Sequence, residues 1–356
     1  MRMIQSVLSL TIIALVVFYF MERADTAPVE IVSGANHAAH EKRNALESKI
    51  APEKLDPANP LEGNMFSWIG KTEQELLDSL GEPSRIDPSA YNYKWWVYNA
   101  SLNQYIQFGI EANEIKTIFA AGEDLETEAV YIGQDFDEIS QHFTFTDEVT
   151  YSEGSSSYAF KMSKEDLSTR PLVKIADGTF VQFYFDTFTT KLSSIRILSA
   201  EILLKHRPYE IEYRGKLPQE PSLTEEEWAA VEKGMEQQVF DLTNVIREQH
   251  GKSALEWEES VSDVAYHHSK DMATNNYFSH YSLNGDGLKE RLEVESVFYT
   301  SAGENIAAQY PDAPAAMEGW LNSRGHREAL LNDDYTHIGV GVYQFYYTQN
   351  FLGKPL

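Results

Sequence analysis

The chain has 356 residues, a length typical of two folded domains with linkers, and its 42% apolar and 12% aromatic residues suffice for ordinary hydrophobic cores. Its 29 basic and 55 acidic side chains give a formal net charge of −26, which argues against binding to nucleic acid and to anionic lipid surfaces. Because the chain contains no cysteine, a disulfide framework, a thiolate metal site, a cysteine nucleophile and a lipoprotein anchor are all excluded.

The first 21 residues form an apolar amino-terminal segment. Residues 4–21 carry no charged side chain, and as a helix these 18 residues would span about 27 Å, close to the hydrocarbon core of a bilayer. A cleaved signal peptide usually has a shorter apolar region and a small-x-small cleavage site, which residues 22–28 do not clearly provide. The sequence therefore favours a signal anchor at residues 1–21 over a cleaved signal peptide, and both place the remaining chain outside the cytoplasm.

Residues 22–62 are predicted to be a linker, because they are polar and end in a stretch with three prolines. In the next region, a glycine turn followed by a helix start occurs twice, at residues 69–76 with Thr72 as the cap and at residues 132–139 with Asp135 as the cap. Strand-like segments rich in aromatic and β-branched residues follow each helix start. This repetition predicts a first domain built from two copies of one α+β unit.

We assign this first domain to residues 63–201 and a second, proline-flanked linker to residues 202–222. Within the domain, residues 93–98 (YKWWVY) form an aromatic strand that is either a platform for a ligand or part of a sheet with one covered face. A covered sheet is the commoner use of such a pattern and is the interpretation favoured here.

The C-terminal domain, residues 223–356, opens with a helix that carries a complete apolar stripe. Thr224 and Glu227 form the pattern of a capping box, and apolar residues then recur every three or four positions. A second helix is predicted to start at Ser260. Its apolar stripe includes His268, which is more typical of a hydrogen-bonded core histidine than of a ligand-binding one.

Polar residues that are able to carry chemistry are concentrated in the last 80 positions, whereas HExxH, GxSxG, P-loop and GxGxxG motifs are absent. Histidines and a carboxylate from separate loops could hold a divalent metal ion or a catalytic water. In chain order the motifs are FSH (278–280), GENI (303–306), WLNSRGHR (320–327), IGVGV (338–342) and TQNF (348–351).

This ordered series, spread over residues 224–352, resembles the CAP superfamily of cysteine-rich secretory, antigen 5 and pathogenesis-related 1 proteins, and more narrowly its bacterial SCP-like extracellular branch. Residues 63–201 similarly resemble the CAP-associated N-terminal domain found before such modules in spore-forming Gram-positive bacteria. The resemblance implies an α/β/α sandwich with an open cleft for the C-terminal domain. Together with the internal repetition and the apolar N-terminal segment, it predicts an α+β chain in which this sandwich follows a duplicated N-terminal domain and a membrane helix.

In many members of that superfamily two histidines and two glutamates line the cleft. His280, Glu304 and His326 match three of these positions, and Ser323 stands where the second glutamate would be. The resemblance thus implies a ligand cleft formed by these four residues. The missing glutamate removes one anionic ligand or base, which puts a glutamate-dependent hydrolysis in doubt.

Two interpretations of the cleft remain open at this point. His280 and His326 could bind a divalent cation, zinc first among them. Alternatively, the residues form a hydrogen-bonded structural cluster, with Glu304 bracing its loop and His326 preceding a short helix at residues 327–331. Ser323 is disfavoured as a nucleophile, because no acid is placed to orient His326 as its base.

The sequence therefore predicts an exported, membrane-tethered protein of the cell envelope whose CAP domain binds a ligand such as a lipid, a peptide or a wall fragment. The alternative is a metal-assisted, protease-like hydrolase that uses His280, His326 and Glu304. A zinc hydrolase normally needs three protein ligands and a separate general base, and only three candidates are present. Binding is therefore favoured over hydrolysis.

Overall fold

The computed structural model describes residues 65–123, 130–219 and 221–354. All of these belong to one compact unit, Ile50–Leu356. The predicted anchor at residues 1–21 and the predicted linker at residues 22–62 lie outside the described residues. In the described part of the chain, no helix is long and apolar enough to cross a bilayer.

The described residues form nine helices and fourteen strands, after a 3-10 turn at Met65–Ser67. The helices are α1 (Glu73–Leu80), α2 (Phe136–His142), α3 (Lys164–Thr169), α4 (Ala200–His206), α5 (Glu225–Gln249), α6 (Glu259–Asn275), α7 (Leu288–Val294), α8 (Ala313–Leu321) and α9 (Arg324–Leu330). The strands are β1 (Arg85–Pro88), β2 (Lys94–Ser101), β3 (Gln104–Glu111), β4 (Glu114–Ala121), β5 (Glu148–Glu153), β6 (Ser156–Lys161), β7 (Leu172–Ala176), β8 (Thr179–Asp186), β9 (Lys191–Ser199), β10 (Glu210–Arg214), β11 (Glu256–Trp257), β12 (Ser301–Ala308), β13 (His337–Tyr343) and β14 (Tyr346–Gly353).

The N-terminal domain is built on a seven-stranded sheet in the order β1-β2-β3-β4-β9-β8-β7. Strands β4 and β9 pair antiparallel at its centre, so one half of the sheet comes from each predicted copy. The two helix starts join the sheet in the same way, through isolated bridges from Thr72 to Glu114 and from Asp135 to Lys191. The two stretches of chain thus join the sheet in a similar way, and the duplication itself stays a prediction.

The two helix caps of the duplicated unit differ in their hydrogen bonds. Thr72 and Glu75 form a complete capping box at α1, in which the Thr72 amide donates to Glu75 Oε2 at 2.8 Å. Asp135 occupies the N-cap position of α2 but makes no capping hydrogen bond with its side chain. The backbone bridge to Lys191 fixes this turn instead, so the position of the helix is kept while the cap bond is not.

The aromatic strand β2 is buried on both faces, rather than on the single face expected. Trp95 and Trp96 point to opposite sides of the sheet, and both are buried. Trp96 packs into a cluster with the short helices of the N-terminal domain, whereas Trp95 packs into a cluster that also contains helices of the C-terminal domain. The second domain thus covers the face that an isolated sheet would leave open.

The region expected to be a linker, residues 202–222, contains regular structure. Helix α4 extends to His206, and β10 pairs antiparallel with β6 in a three-stranded sheet of order β10-β6-β5. Ile202, Leu203 and Leu204 are buried against the N-terminal domain. A seven-residue helix is too short to show its apolar period in the sequence, and the partner of β10 lies about fifty residues earlier in the chain.

The C-terminal domain has three layers around a four-stranded sheet of order β11-β13-β14-β12. Neighbouring residues of β14 point to opposite faces: Thr348 Oγ1 lies 2.8 Å from Ser269 Oγ of α6, while Gln349 Nε2 donates to Thr243 Oγ1 of α5 at 2.7 Å. Helices therefore cover both faces. This is the CAP-type arrangement that the resemblance implies.

The main helix of this domain follows the sequence pattern closely. The capping box of Thr224 and Glu227 starts α5, and the helix ends at Gln249, just before Gly251. Gly251 has a positive φ of 64°, a conformation that glycine adopts without strain. Helix α6 begins at Glu259, one residue before the predicted start.

The glycines of the IGVGV motif allow α6 to lie directly on β13. A Cβ atom on Gly341 would come within 1.8 Å of the Tyr266 amide nitrogen, and one on Gly339 within 2.2 Å of the Ser262 amide nitrogen. Both contacts are with helix backbone, which cannot move aside without shifting the whole helix. These motif glycines are thus explained by packing, not by chemistry.

Candidate functional site

Glu304 on β12 is the centre of a group formed by residues distant in the sequence. Its carboxylate is almost fully buried, with 4% of the side chain exposed. The Nδ1 atom of His280 lies 2.9 Å from Oε1, and Nη2 of Arg291 donates to Oε2 at 2.6 Å. Both carboxylate oxygens are therefore engaged, and the ion pair with Arg291 offsets the cost of burying the charge.

The His280 ring combines one anchored nitrogen with an open face. Because a carboxylate can only accept, Nδ1 carries the proton, and Nε2 of the neutral ring is left with a lone pair. The side chain is 49% exposed, and in the described part of the chain its hydrogen bonds involve Nδ1 alone. A histidine whose second nitrogen is held by a carboxylate has the arrangement seen in metal ligands and in hydrogen-bond acceptors for a ligand.

The loop that carries His280 is held by its own domain. Nε2 of the buried His268 donates to the Ser279 carbonyl at 3.0 Å, and burial lowers the pKa of His268, so this ring is neutral. His268 is thus a hydrogen-bonded core histidine, as its place in the apolar stripe indicates. Arg291 adds a second tie, because its Nη1 donates to the carbonyl oxygens of His280 and Asp286 at 3.1 and 3.2 Å.

The segment that carries His326 is hydrogen-bonded to Asn305, the residue that follows Glu304 on β12. Nδ2 of the buried Asn305 donates to the His326 carbonyl at 3.0 Å. His326 lies inside α9, which begins at Arg324, and not before a helix at residues 327–331 as expected. Gly325 therefore lies in the first turn of this helix.

The structure thus relates three of the four predicted cleft residues to two adjacent positions of β12. Glu304 contacts His280 directly, and Asn305 holds the backbone of His326. Ser323 is the N-cap of α9, three residues before His326, and its hydroxyl does not cap the helix. The binding of one ion by both histidines stays a prediction; within the described residues no group of three or more His, Asp or Glu side chains is placed to hold a metal.

Exposed apolar side chains are frequent in the stretch of chain that contains the His280 loop and α7. Most large apolar residues of the described chain that face solvent fall between residues 278 and 298, although the chain as a whole is strongly acidic. We call them the apolar rim: Phe278, Tyr281, Leu283, Val294 and Phe298. A set of this kind beside a polar group is typical of a binding surface.

A second group of the same composition lies next to His326. Asp186, at the end of β8, brings its Oδ2 atom within 2.9 Å of Arg327 Nη2 and 3.1 Å of His250 Nε2. Burial alone would raise the pKa of Asp186, but the hydrogen bonds of His250 and Arg327 lower it to about 2. This carboxylate is therefore charged at any neutral pH, and it joins the N-terminal domain to α5 and α9.

Sequence reasoning missed Arg291 and Asp186, although each holds a carboxylate–histidine–arginine group together. Arg291 is one of several charged residues in a short surface helix, and Asp186 ends an apolar strand before a polar turn. Neither position has a local signal, because the partners lie 13 and 141 residues away.

Comparison with family models and known proteins covers both domains. Residues 240–353 match the cysteine-rich secretory protein family, and residues 69–209 match the CAP-associated N-terminal domain. In Bacillus subtilis (strain 168), the uncharacterized membrane protein YlbC is 46% identical over 316 residues, which are 88% of this chain and 91% of the relative. The uncharacterized protein YkwD of the same organism is 37% identical over 121 residues, 33% of this chain and 47% of its own length.

Two solved structures share the fold. An extracellular protein containing an SCP domain from Bacillus anthracis str. Ames superposes with a TM-score of 0.79 at 42% identity, covering 86% of this chain and all of that one (100%). A cysteine-rich secretory protein from Staphylococcus aureus subsp. aureus Mu50 gives a TM-score of 0.69 at 27% identity, covering 81% of this chain and 94% of that one. The first of these similarities extends over both domains at once.

Proposed function

The chain belongs to the cysteine-rich secretory protein (CAP) family, and from that premise we propose that it is an exported, membrane-associated protein of the cell envelope whose C-terminal domain binds a ligand. The observation that carries the proposal is the His280 ring. Its Nδ1 is fixed by the buried Glu304, half of its side chain is exposed, and the exposed residues of the apolar rim flank it in the sequence. One fixed polar group next to exposed apolar side chains is the usual composition of a ligand site.

The residues around His280 narrow the range of possible ligands. The apolar rim suits a ligand with an apolar part, such as a lipid or a peptide with apolar side chains, more than a purely polar wall fragment. A divalent cation, zinc by the preference of imidazole ligands, is a second proposed ligand, with His280 and His326 as its protein donors. When bound, such an ion would supply a positive charge to which a carboxylate or phosphate group of the ligand could coordinate.

A metal-assisted hydrolase is the less favoured alternative. Glu304 is the candidate general base, but its two carboxylate oxygens are already engaged by His280 and Arg291. A base must be within reach of the proton that it removes, and this carboxylate faces the protein interior. Binding, not bond cleavage, is the function that this geometry supports.

The test uses the full-length chain purified in detergent, titrated separately with zinc chloride, a fluorescent lysophosphatidylcholine and a muramidase digest of Gram-positive cell wall. We expect at least one probe to bind, and replacement of both His280 and His326 by alanine to weaken its binding tenfold or more. His267→Ala is the matched control, because His267 is an exposed histidine of α6 next to the buried His268. Absence of binding by all three probes, or equal binding by the double variant, would contradict the proposal.

The membrane association is tested separately by fractionating cells that express the full chain. We expect it in the membrane fraction, retained by residues 4–21, with its N-terminal sequence intact. A mature chain that begins beyond residue 21 and is free in the medium would show a cleaved signal peptide instead.

A further inference from the structure

The turn between β8 and β9 of the N-terminal domain contacts the segment that carries two of the four cleft residues. The side chain of Asn322 is held at both ends by this turn. Its Oδ1 accepts from the amide and the hydroxyl of Thr187 at 2.9 and 2.8 Å, and its Nδ2 donates to the Phe185 carbonyl at 3.0 Å. All three contacts cross from one domain to the other.

Five residues later, Arg327 is held by the same turn. Its Nη2 donates to Asp186 Oδ2 at 2.9 Å, and its guanidinium carbon lies 4.8 Å from the centre of the Phe188 ring. Only 13% of the Arg327 side chain is exposed, and 3% of that of Asp186. The pair is therefore shielded from solvent, where charge-assisted hydrogen bonds are strong.

Ser323 and His326 lie between these two anchored residues. Helix α9 has only seven residues, too few to be stable by itself in water, so its position is set by tertiary contacts. We propose that the N-terminal domain is a second positioning element of the cleft, beside the bond from Asn305 to the His326 carbonyl: Asp186, acting through Arg327, and Thr187, acting through Asn322, fix the segment that presents Ser323 and His326. This inference rests on the proposed binding function of the cleft. Asp186 is thus a positioning residue, which acts on the ligand only through α9.

The two histidines of the cleft should respond differently when the contact between Asp186 and Arg327 is lost. The His280 loop is held by His268 and Arg291, which both belong to the C-terminal domain. Loss of the Asp186 carboxylate should therefore displace His326 and leave His280 in place. General loosening of the protein would affect both rings alike, so the difference between them separates positioning from a merely structural role.

The experiment compares Asp186→Asn with Asp177→Asn in the full chain. Asp177 lies in an exposed turn of the same domain and pairs with Lys174, so its replacement is a matched loss of charge. We expect Asp186→Asn to raise amide hydrogen exchange in residues 322–330 at least fivefold and to shift the ring resonances of His326 but not those of His280. Asp177→Asn should leave both unchanged, and Asp186→Glu should restore part of the His326 signal.

If Asp186→Asn does not fold, Thr187→Val provides the same test from an exposed residue, because it removes only the hydroxyl bond to Asn322. Unchanged exchange and unchanged His326 resonances in a folded variant would overturn the positioning role, as would equal shifts of both histidines. These readouts need no ligand. Should the parent bind none of the three probes while His326 moves as expected, the binding function fails and the positioning role stands.

Discussion

Two groups of one carboxylate, one histidine and one arginine occur in this molecule, and they are used differently. The first, the open group, consists of Glu304, His280 and Arg291, and the second, the junction group, of Asp186, His250 and Arg327. Their carboxylates are buried to the same degree, with 4% and 3% of the side chains exposed. Their histidines are not: 49% of His280 faces solvent but only 18% of His250.

The difference lies in the second nitrogen of each imidazole. Nδ1 of His250 lies 2.8 Å from the Ile246 carbonyl, and Nε2 is 3.0 Å from Arg327 Nη2 and 3.1 Å from Asp186 Oδ2. Both nitrogens are therefore satisfied inside the protein, whereas Nε2 of His280 is directed to solvent. The same three residue types thus hold two domains together in one place and, in the function proposed above, present a binding atom in the other.

The largest effect is expected when the junction group is broken. Asp186→Ala leaves Arg327 and His250 without their carboxylate, and removal of one partner of a buried ion pair costs about 3–5 kcal/mol in the free energy of unfolding. Urea unfolding of the full chain measures this loss. Asp177→Ala, at an exposed pair, should change stability by less than about 0.5 kcal/mol. Equal effects of the two variants would show that the junction contributes little.

The matching change in the open group is Glu304→Gln. Arg291, with 11% of its side chain exposed, would lose its counter-charge, so we expect a loss of about 1–3 kcal/mol, less than at the junction because only one domain is involved. The same variant should shift the ring resonances of His280. A stability loss larger than that of Asp186→Ala would reverse the proposed ranking of the two groups.

A further contact between the two domains, at Glu318, predicts that the free energy of unfolding depends on pH. Glu318 accepts from the hydroxyls of Ser193 and Ser194 at 2.7 and 2.5 Å, and burial raises its pKa from 4.5 to about 7. The folded chain therefore holds a proton that the unfolded chain releases, so stability falls as pH rises from about 4.5 to 7.

Glu318→Gln should abolish this pH-dependent part, which we expect to be about 1–2 kcal/mol in urea unfolding between pH 5 and 8. Glu328→Gln, at an exposed residue of α9, is the control. The lowered pKa of Asp186 affects stability in a different pH range. Its depressed pKa stabilises the fold above about pH 4, and that stability is lost as pH falls toward 2. A Glu318→Gln profile parallel to that of the parent would contradict the assignment.

The smallest effect on stability is expected at His280 itself. Because half of its side chain is exposed, His280→Ala should cost less than about 0.5 kcal/mol, whereas His250→Ala removes two buried hydrogen bonds and should cost about 1–2 kcal/mol. Thermal unfolding distinguishes these values. If His280→Ala were the more destabilising of the two, the open group would be a structural cluster and not a binding site.

Much of the scaffold was predictable, because its signals are local. The capping box at Thr224, the apolar stripe of α5 and the glycine after its end appear as short patterns with a direct physical meaning. The order of the five C-terminal motifs indicated the fold family and the positions of His280, Glu304 and His326. Two of the motif glycines, Gly339 and Gly341, could not be distinguished from chemically active positions until their contact with α6 was seen.

The remaining features depend on contacts between distant residues. The sequence predicts a linker where β10 lies, because its partner β6 is far away in the chain. It predicts one open face for β2, because the C-terminal domain that covers this face is a separate stretch of chain. Arg291 and Asp186 carry no pattern of their own, since a charged side chain on a short helix or strand end is usually solvated.

The amphipathic helices and the capping box at Thr224 are predictable from the sequence alone, because periodicity and backbone preference act over a few residues. Only the tertiary structure decided which histidine keeps a free nitrogen. That outcome depends on whether an arginine and a carboxylate from elsewhere in the chain enclose the ring, as they do at His250, or leave half of it in water, as at His280.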